Sequence, residues 1–290
     1  MRHRLWLAAT NVPALLLLGL TVVGPVGYVV VLSLNDVKAG FDITRRYVGL
    51  ANYVELLGSG DFWFSLRQTL YFTLLSVLLT GTAGLGVALA LARSGWRRAL
   101  WLTLLIVPWA MPFVVNGLMW KWIFDPIYGA LNGLLLQFGL IERYVAWLST
   151  PWSAMHVVVI AHSWKLVPFV AITVFAQLQA IPGELYEAPA IDGASRGQIV
   201  RFIVLPLLRP ALVTAMIFVT IWSLRAFDVI YVLTGGGPGD ATSILNWTAY
   251  AQAFQYGDFG RASALGVLIG LVSLSSTLAY LRLAGREPGV

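Results

Sequence analysis

Long runs without a charged residue restrict the possible folds of this chain more than any other feature. Four such runs are Ala14–Leu34, Gln68–Ala92, Ala99–Trp120 and Ala262–Leu281. Each is about as long as the ~20 apolar residues needed to cross a hydrocarbon core of ~30 Å. The strands of a membrane barrel would be shorter, about ten residues, and would alternate in polarity. The runs therefore predict membrane-spanning helices.

Two further apolar stretches carry isolated charges. One covers about residues 153–179 and contains Lys165, and the other covers about residues 207–233 and contains Arg225 and Asp228. With them we predict an all-α, polytopic membrane protein of six helices and one transmembrane domain over residues 1–290. The predicted spans are 8–34, 65–92, 99–123, 153–179, 207–233 and 262–282. The composition agrees, because 59% of the residues are hydrophobic and 11% are charged, whereas soluble domains carry about 25% charged residues.

The distribution of arginines predicts the orientation. The short connection from Arg93 to Arg98 contains three arginines, whereas the connections on the other side are longer and mix acidic with basic residues. Cytoplasmic loops are enriched in basic residues, so we expect both termini in the cytoplasm. Contact with anionic lipid headgroups accounts for the net charge of +6.

Several kinds of chemistry are not expected. The chain has no cysteine, and its three histidines are not spaced as a metal set. It contains no phosphate-binding loop of the G-x-x-x-x-G-K-[ST] type, and the cluster Gly235–Gly239 lacks the necessary lysine. We therefore expect no metal site, no cofactor and no ATP hydrolysis on this chain.

Charges inside a membrane span are costly and usually face a cavity or a partner. Arg225 and Asp228 are three residues apart, so they can pair along one helix face. Alternatively, this face lines a solute path or its outer gate. Lys165 is a third intramembrane charge, which can bond to the end of a helix or to a partner chain. The candidate path or gate residues are Asn116, Trp120, Lys165, Trp222, Arg225, Asp228 and Tyr231.

The segment 180–206 is the longest polar interruption in the second half of the chain. Pro182 prevents continuation of the fourth span, and Glu184 and Glu187 follow near the positive end of a new helix. Gly193 permits a sharp turn, after which a second helix is expected to reach Pro206. The segment thus predicts a hook of two helices joined at a glycine.

The hook sequence Glu187-Ala-Pro-Ala-Ile-Asp-Gly-Ala-Ser195, followed by Leu205-Pro206, resembles the EAA loop of permease subunits in ABC-type importers. Two more stretches, Trp222–Pro238 and Tyr250–Gly266, resemble the fifth and sixth spans of the sugar-type permeases. The similarity covers essentially the whole chain, and within that family it is to the first permease of the carbohydrate-uptake pair of the maltose and glycerol-phosphate type.

The resemblance implies the type I importer permease fold and half of a translocation path for a sugar or related carbohydrate. It implies a second homologous permease, two ATPase subunits that hold ATP and Mg, and an extracytoplasmic solute-binding protein, in a bacterial or archaeal cytoplasmic membrane. Alternating access would be driven through the loop. The coupling residues that it implies are Glu187, Ala188, Asp192, Gly193 and Ala194. Pro189 departs from the usual alanine, and we expect it to shorten or bend the coupling helix just after Ala188.

Other functions are considered as alternatives. The solute of the same family can be a glycerophosphodiester. A self-sufficient secondary carrier would need its own ion site or an inverted repeat, and neither is visible. An intramembrane enzyme would need a convergent catalytic set, and Asp228 is the one deep acid.

Overall fold

The computed structural model describes residues 11–39 and 44–284. The strands are β1 (Asn35–Lys38) and β2 (Thr44–Tyr47). The helices are α1 (Asn11–Ser33), α2 (Ala51–Gly58), α3 (Gly60–Ala92), α4 (Arg98–Ala110), α5 (Phe113–Ile123), α6 (Ala130–Gln137), α7 (Pro151–Gln179), α8 (Glu184–Ile191), α9 (Arg196–Leu224), α10 (Asp228–Leu233), α11 (Leu245–Tyr250) and α12 (Phe259–Ala284). Single π-helical turns lie within α1 and α9 and directly after α11.

Five of the described helices, α1, α3, α7, α9 and α12, are long and apolar enough to cross a membrane, and the pair α4–α5 supplies up to a sixth span. The helical fold class and its membrane-spanning helices are therefore confirmed, with one small antiparallel hairpin added. Residues 8–10 of the first predicted span lie outside the described ranges. So do Arg2, Arg4 and Arg286, and with them the termini on which the predicted orientation partly depends.

The third predicted span, 99–123, is two helices that meet at an angle of 97°. Between them Met111 is extended (φ −72°, ψ 135°), and Pro112 follows with ψ 145°. A proline disfavours the helical conformation of the residue before it, so the sequence Met111-Pro112 itself breaks the span. Its carbonyl groups then need partners other than the next helical turn.

The fifth predicted span, 207–233, is also divided. The helix α9 already begins at Arg196, passes through Pro206 and ends at Leu224, and α10 starts at Asp228. Asn246 bonds through Nδ2 to the carbonyl oxygens of Leu224 (2.7 Å) and Ala226 (3.4 Å). An amide from a distant segment thus satisfies the carbonyls at this break.

The chain forms two compact units, and its assignment to one domain over 1–290 remains a prediction. The first unit contains the residues up to Ser65 together with Thr248–Leu271. In it β1 pairs with β2, and Asn52 bonds through Nδ2 to the carbonyl oxygens of Ser33 (2.9 Å) and Asn35 (3.0 Å). The side chain of Arg261 also pairs with Glu55.

The second unit contains Leu66–Trp247 and the residues after Leu271. Its centre is α7, in whose most apolar window 67% of the residues are buried, against 28% in α3 and 22% in α9. One core cluster joins α3, α7 and α9 through residues that include Ala88, Val170 and Leu208. A second cluster joins α7 to α10. The helix α7 therefore positions the groups described below.

We expect the substitution Gly84→Ala to destabilise the second unit by about 1–3 kcal/mol, because overpacking forces side chains out of place. A Cβ at Gly84 would lie 2.6 Å from Cβ of Val170 in α7, which is too close for two carbons. Gly86→Ala is the matched control, since no atom lies within 4 Å of a Cβ placed there. Thermal melting in detergent measures both variants, and equal melting temperatures would contradict the close approach of α3 and α7.

Candidate coupling loop and transport path

The predicted hook is present between α7 and α9. Its first helix, α8, begins after Gly183, whose carbonyl oxygen accepts hydrogen bonds from the backbone N–H groups of Tyr186 (2.9 Å) and Glu187 (3.1 Å). Glu184 and Glu187 lie in the first turn, where carboxylates favour the positive end of the helix dipole. The side chain of Glu187 is exposed. The sequence therefore places this carboxylate on the open face of the hook.

The helix α8 does not end at Pro189, so the prediction that it is shortened just after Ala188 is wrong, and a bend there stays a prediction. It continues to Ile191. Gly193 then adopts φ +84°, and the N–H of Ala194 donates to the Pro189 carbonyl at 2.9 Å. This is the 6→1 bond of a Schellman motif, in which a glycine ends the helix. The end of α8 is thus set by Gly193, and the proline removes one N–H without ending the helix.

The second helix of the hook has its own N-terminal cap. The side chain of Ser195 accepts from the N–H of Gln198 (3.4 Å), and the side chain of Gln198 accepts from the N–H of Ser195 (2.7 Å). This reciprocal capping box fixes the start of α9. The five predicted coupling residues lie together on the hook, all exposed except the half-buried Ala194: Glu187, Ala188, Asp192, Gly193 and Ala194.

A cavity of about 190 Å³ lies where α9 ends. Its walls come from the start of α5, the middle of α7 and the chain between α9 and α10. Aromatic and polar side chains line it: Phe113, His162, Trp222, Arg225, Phe227 and Asp228. The cavity therefore combines ring faces with hydrogen-bonding groups of both charges.

The buried His162 contributes a free acceptor or donor to this wall. Its side chain is 1% exposed, and Nε2 lies 3.1 Å from Oγ of Ser223. Within the described part of the chain its Nδ1 is buried and has no hydrogen-bond partner. The ring of Phe113 lies 6.2 Å from the imidazole. Because an unpaired buried polar group is costly, His162 is suited to a polar ligand in the cavity.

Arg225 and Asp228 both line the cavity, but no ion pair joins them among the residues that the structure describes. The predicted pairing along one helix face is therefore wrong. The helix ends at Leu224 and the next begins at Asp228, so the two residues do not share a helix. Arg225 is exposed and Asp228 is half-buried. Both charges thus remain available to a solute.

Lys165 is bonded to the end of a helix, one of the two roles expected for it. Its side chain is 4% exposed. Nζ donates to the carbonyl oxygens of Trp109 (2.9 Å), Pro108 (3.5 Å) and Met111, and lies 4.6 Å from the ring centre of Phe113. The Pro108 carbonyl also accepts the backbone N–H of Met111 at 3.4 Å, where α4 ends. Lys165 therefore holds the break of the third span in place.

The remaining path candidates lie outside the cavity walls. Asn116 is buried and donates from Nδ2 to the Ala161 carbonyl at 3.1 Å, which ties α5 to α7. Trp120 packs on Phe124 and Trp164 at ring distances of 5.6 and 5.8 Å. Tyr231 is 50% exposed, one turn beyond Asp228. The structure thus brings together Trp222, Arg225 and Asp228 among the predicted residues.

Sequence reasoning missed Phe113, His162 and Phe227. His162 was not expected at a site, because the three histidines are not spaced as a metal set. Phe113 follows the Met111-Pro112 break, and Phe227 lies inside the break after α9. Both aromatic residues lie at helix breaks, so a sequence analysis that recognised the breaks could have identified them.

The structure thus combines membrane-spanning helices, an exposed hook and a polar cavity at a helix break. The model of the family of binding-protein-dependent transport system inner membrane components matches residues 82–287. The chain belongs to this family, and its role is transport.

Relatives and solved structures agree with this assignment. The chain is 41% identical to the trehalose/maltose transport system permease protein MalF of Thermococcus litoralis, over 82% of this chain and 80% of that protein. It is 36% identical to the sulfoquinovosyl glycerol transport system permease protein SmoG of Agrobacterium fabrum, over 93% and 87%. A bacterial alginate ABC transporter, solved with a periplasmic protein that holds an alginate pentasaccharide, contains a chain of the same fold. That match has a TM-score of 0.84 at 22% identity and covers 100% of this chain and 98% of the other.

We expect Lys165→Met to destabilise the protein, because the carbonyl groups of Trp109 and Met111 lose their donor within an apolar region. An unsatisfied buried polar group costs about 1–3 kcal/mol. Lys121→Met is the control, since Lys121 is an exposed lysine of α5. Chemical or thermal unfolding in detergent measures the difference, and a stable Lys165→Met variant would mean that the break does not depend on this ammonium group.

For Arg225 and Asp228 we expect independent effects. Because the two side chains do not pair, the changes in unfolding free energy of Arg225→Ala and Asp228→Ala should add to within about 0.5 kcal/mol in the double variant. A double-mutant cycle measures this. A coupling energy well above that value would indicate an ion pair between the two side chains, contrary to the structure.

Proposed function

We propose that this chain is a permease subunit of an ATP-driven importer and forms half of the translocation path for a sugar or related carbohydrate. Its partners would be a second homologous permease, two ATPase subunits and an extracytoplasmic solute-binding protein. ATP and Mg would be held by the ATPase subunits. Both termini would lie in the cytoplasm, on the same side as the hook.

The observation that carries the proposal is the placement of the two candidate sites on one helix. The second helix of the hook is the beginning of α9, and the cavity lies at the last turn of the same helix. An ATPase that moves the hook would therefore move the wall of the cavity. This arrangement supports alternating access driven from outside the chain.

The cavity chemistry supports a carbohydrate. The ring of Trp222 offers an apolar face for the C–H side of a sugar, and His162, Arg225 and Asp228 supply donors and acceptors for hydroxyl groups. The names of MalF, of SmoG and of the diacetylchitobiose uptake permease DasB of Streptomyces coelicolor, 35% identical over 83% of this chain, all describe carbohydrate-containing solutes.

The size of the cavity supports a paired path. At about 190 Å³ it is smaller than the ~300–1,000 Å³ of a complete ligand pocket. A second permease facing this wall would complete the site. The exposed apolar surface of α1, in whose span window no residue is buried, also supports contact with lipid or with such a partner.

The substitution Glu187→Lys tests the proposal in proteoliposomes that contain the chain, its paired permease, the ATPase subunits and the binding protein. The wild type should import a labelled carbohydrate only with ATP. The variant should bind solute normally but lose most solute-stimulated ATP hydrolysis, because it reverses a charge at a docking surface. Glu142→Lys, an exposed glutamate of the loop before α7, is the control and should behave as the wild type.

Three results would count against the proposal. Coupling that is unchanged in Glu187→Lys would remove this carboxylate from the ATPase contact. Import of a glycerophosphodiester in place of carbohydrates would change the solute class. Uptake by the isolated chain in vesicles with an ion gradient would identify a self-sufficient carrier.

A further inference from the structure

A second and larger cavity, of about 510 Å³, lies beside the hook. It is bordered by the end of α3, the starts of α4 and α9, the end of α7 and by α8. Three arginines line it: Arg93, Arg98 and Arg196. No acidic side chain is among the residues of its wall, and none of the three arginines has an ion pair within the described part of the chain. The cavity therefore concentrates positive charge without a counterion.

The central arginine, Arg98, is partly desolvated. Its guanidinium carbon lies 5.4 Å from the ring centre of Phe175, and Nη2 makes one long bond of 3.4 Å to the Ala92 carbonyl. Nε is buried and, among the described residues, has no hydrogen-bond partner. A buried guanidinium N–H without a partner is costly. A phosphate oxygen would satisfy it, since a guanidinium binds phosphate in a bidentate manner.

The rest of the wall suits the other parts of an amphiphile. The apolar side chains of Phe175, Leu178 and Val204 line it, together with Tyr186. A tyrosine hydroxyl is protonated at neutral pH and can donate, and burial raises the pKa of Tyr186 further. An acidic peptide segment would leave this apolar surface unused, whereas a lipid covers it.

Two exposed tryptophans near the cavity indicate that it lies at the depth of the lipid headgroups. Trp96 is 86% exposed and Trp101 is 49% exposed, and exposed tryptophans are typical of the membrane interface. An apolar groove of about 470 Å³ also runs along α3 and α4, and Ser94 and Trp101 are among its lining residues. Its α3 residues lie on a different face of that helix from those of the cavity.

We propose that the arginine cavity binds the phosphate headgroup of an anionic phospholipid, with the apolar part of the lipid against Phe175, Leu178 and Val204. Basic pockets between membrane helices are known to hold such headgroups. Because Arg196 and Tyr186 belong to the hook, a bound phosphate bridges it to α3 and α4. The lipid would then stabilise the hook in one position. The inference depends on the membrane placement of the family and not on the solute or the ATPase of the proposed function.

Lipid retention by the purified full chain tests this inference without any transport assay. The delipidated protein is incubated with phosphatidylglycerol or phosphatidylcholine, and native mass spectrometry counts the bound lipid. The wild type should retain phosphatidylglycerol selectively, and Arg98→Gln should reduce its affinity about tenfold, as expected for loss of a charge-assisted bond. Arg97→Gln is the matched control, because the Arg97 guanidinium lies over the exposed Trp96 ring at 4.8 Å and outside the cavity.

A second variant, competition with phosphate and ATPase co-purification test the site further. Arg196→Gln changes an exposed residue of the cavity wall and must also weaken retention, even if Arg98→Gln folds poorly. Equal retention by the wild type and these variants would overturn the site. Displacement of the lipid by an equal concentration of inorganic phosphate would identify a free anion as the ligand. If the wild type retains no lipid and Arg98→Gln no longer co-purifies with the ATPase, the cavity is a contact with the ATPase and the lipid site is refuted.

Discussion

Backbone carbonyls inside a bilayer must accept hydrogen bonds from donors within the protein. The geometry of the proposed path depends on the donor that satisfies the carbonyls at the break of the third span. One lysine, Lys165, donates to carbonyls at the end of α4 from the buried face of α7. The break can therefore persist in an apolar setting, and α5 can leave at 97°. That direction brings Phe113 to the cavity wall. The charge of Lys165 inside a span thus satisfies backbone carbonyls, whereas the neighbouring His162 on α7 lines the cavity.

The two broken spans show what local sequence can predict. Pro112 restricts Met111 to an extended conformation, so the first break is encoded within two residues and could have been predicted. The break after Leu224 has no proline or glycine. Its carbonyls are satisfied by Asn246, which comes from a segment about twenty residues further on. Hydropathy alone predicts an uninterrupted span there, because only the tertiary fold reveals the competing amide.

The same distinction holds for the candidate sites. The hook depends on local chemistry: Gly193 ends α8 and Ser195 with Gln198 starts α9, so its place and its residues followed from the sequence. Pro189 was misjudged because a helix tolerates one lost N–H when its end is fixed elsewhere. The cavity gathers residues from three separate helices, and neither the aromatic walls nor the unpaired arrangement of Arg225 and Asp228 follows from their spacing.

The length of α9 connects the two sites physically. Its 29 residues extend over about 43 Å at ~1.5 Å per residue, from the capping box of the hook to Trp222 and the cavity. The helix is continuous, but its π-helical turn at Val200–Val204 and the prolines at positions 206 and 210 interrupt the regular hydrogen-bond ladder near the hook. Under the proposed mechanism, a displacement of the hook is therefore transmitted to the path by the regular part of α9 beyond Pro210. The break after Leu224 then has a function of its own: it separates the moving helix from α10, which is packed against α7 by Ile230 and Val229. Movement at the cavity is thus confined to one wall.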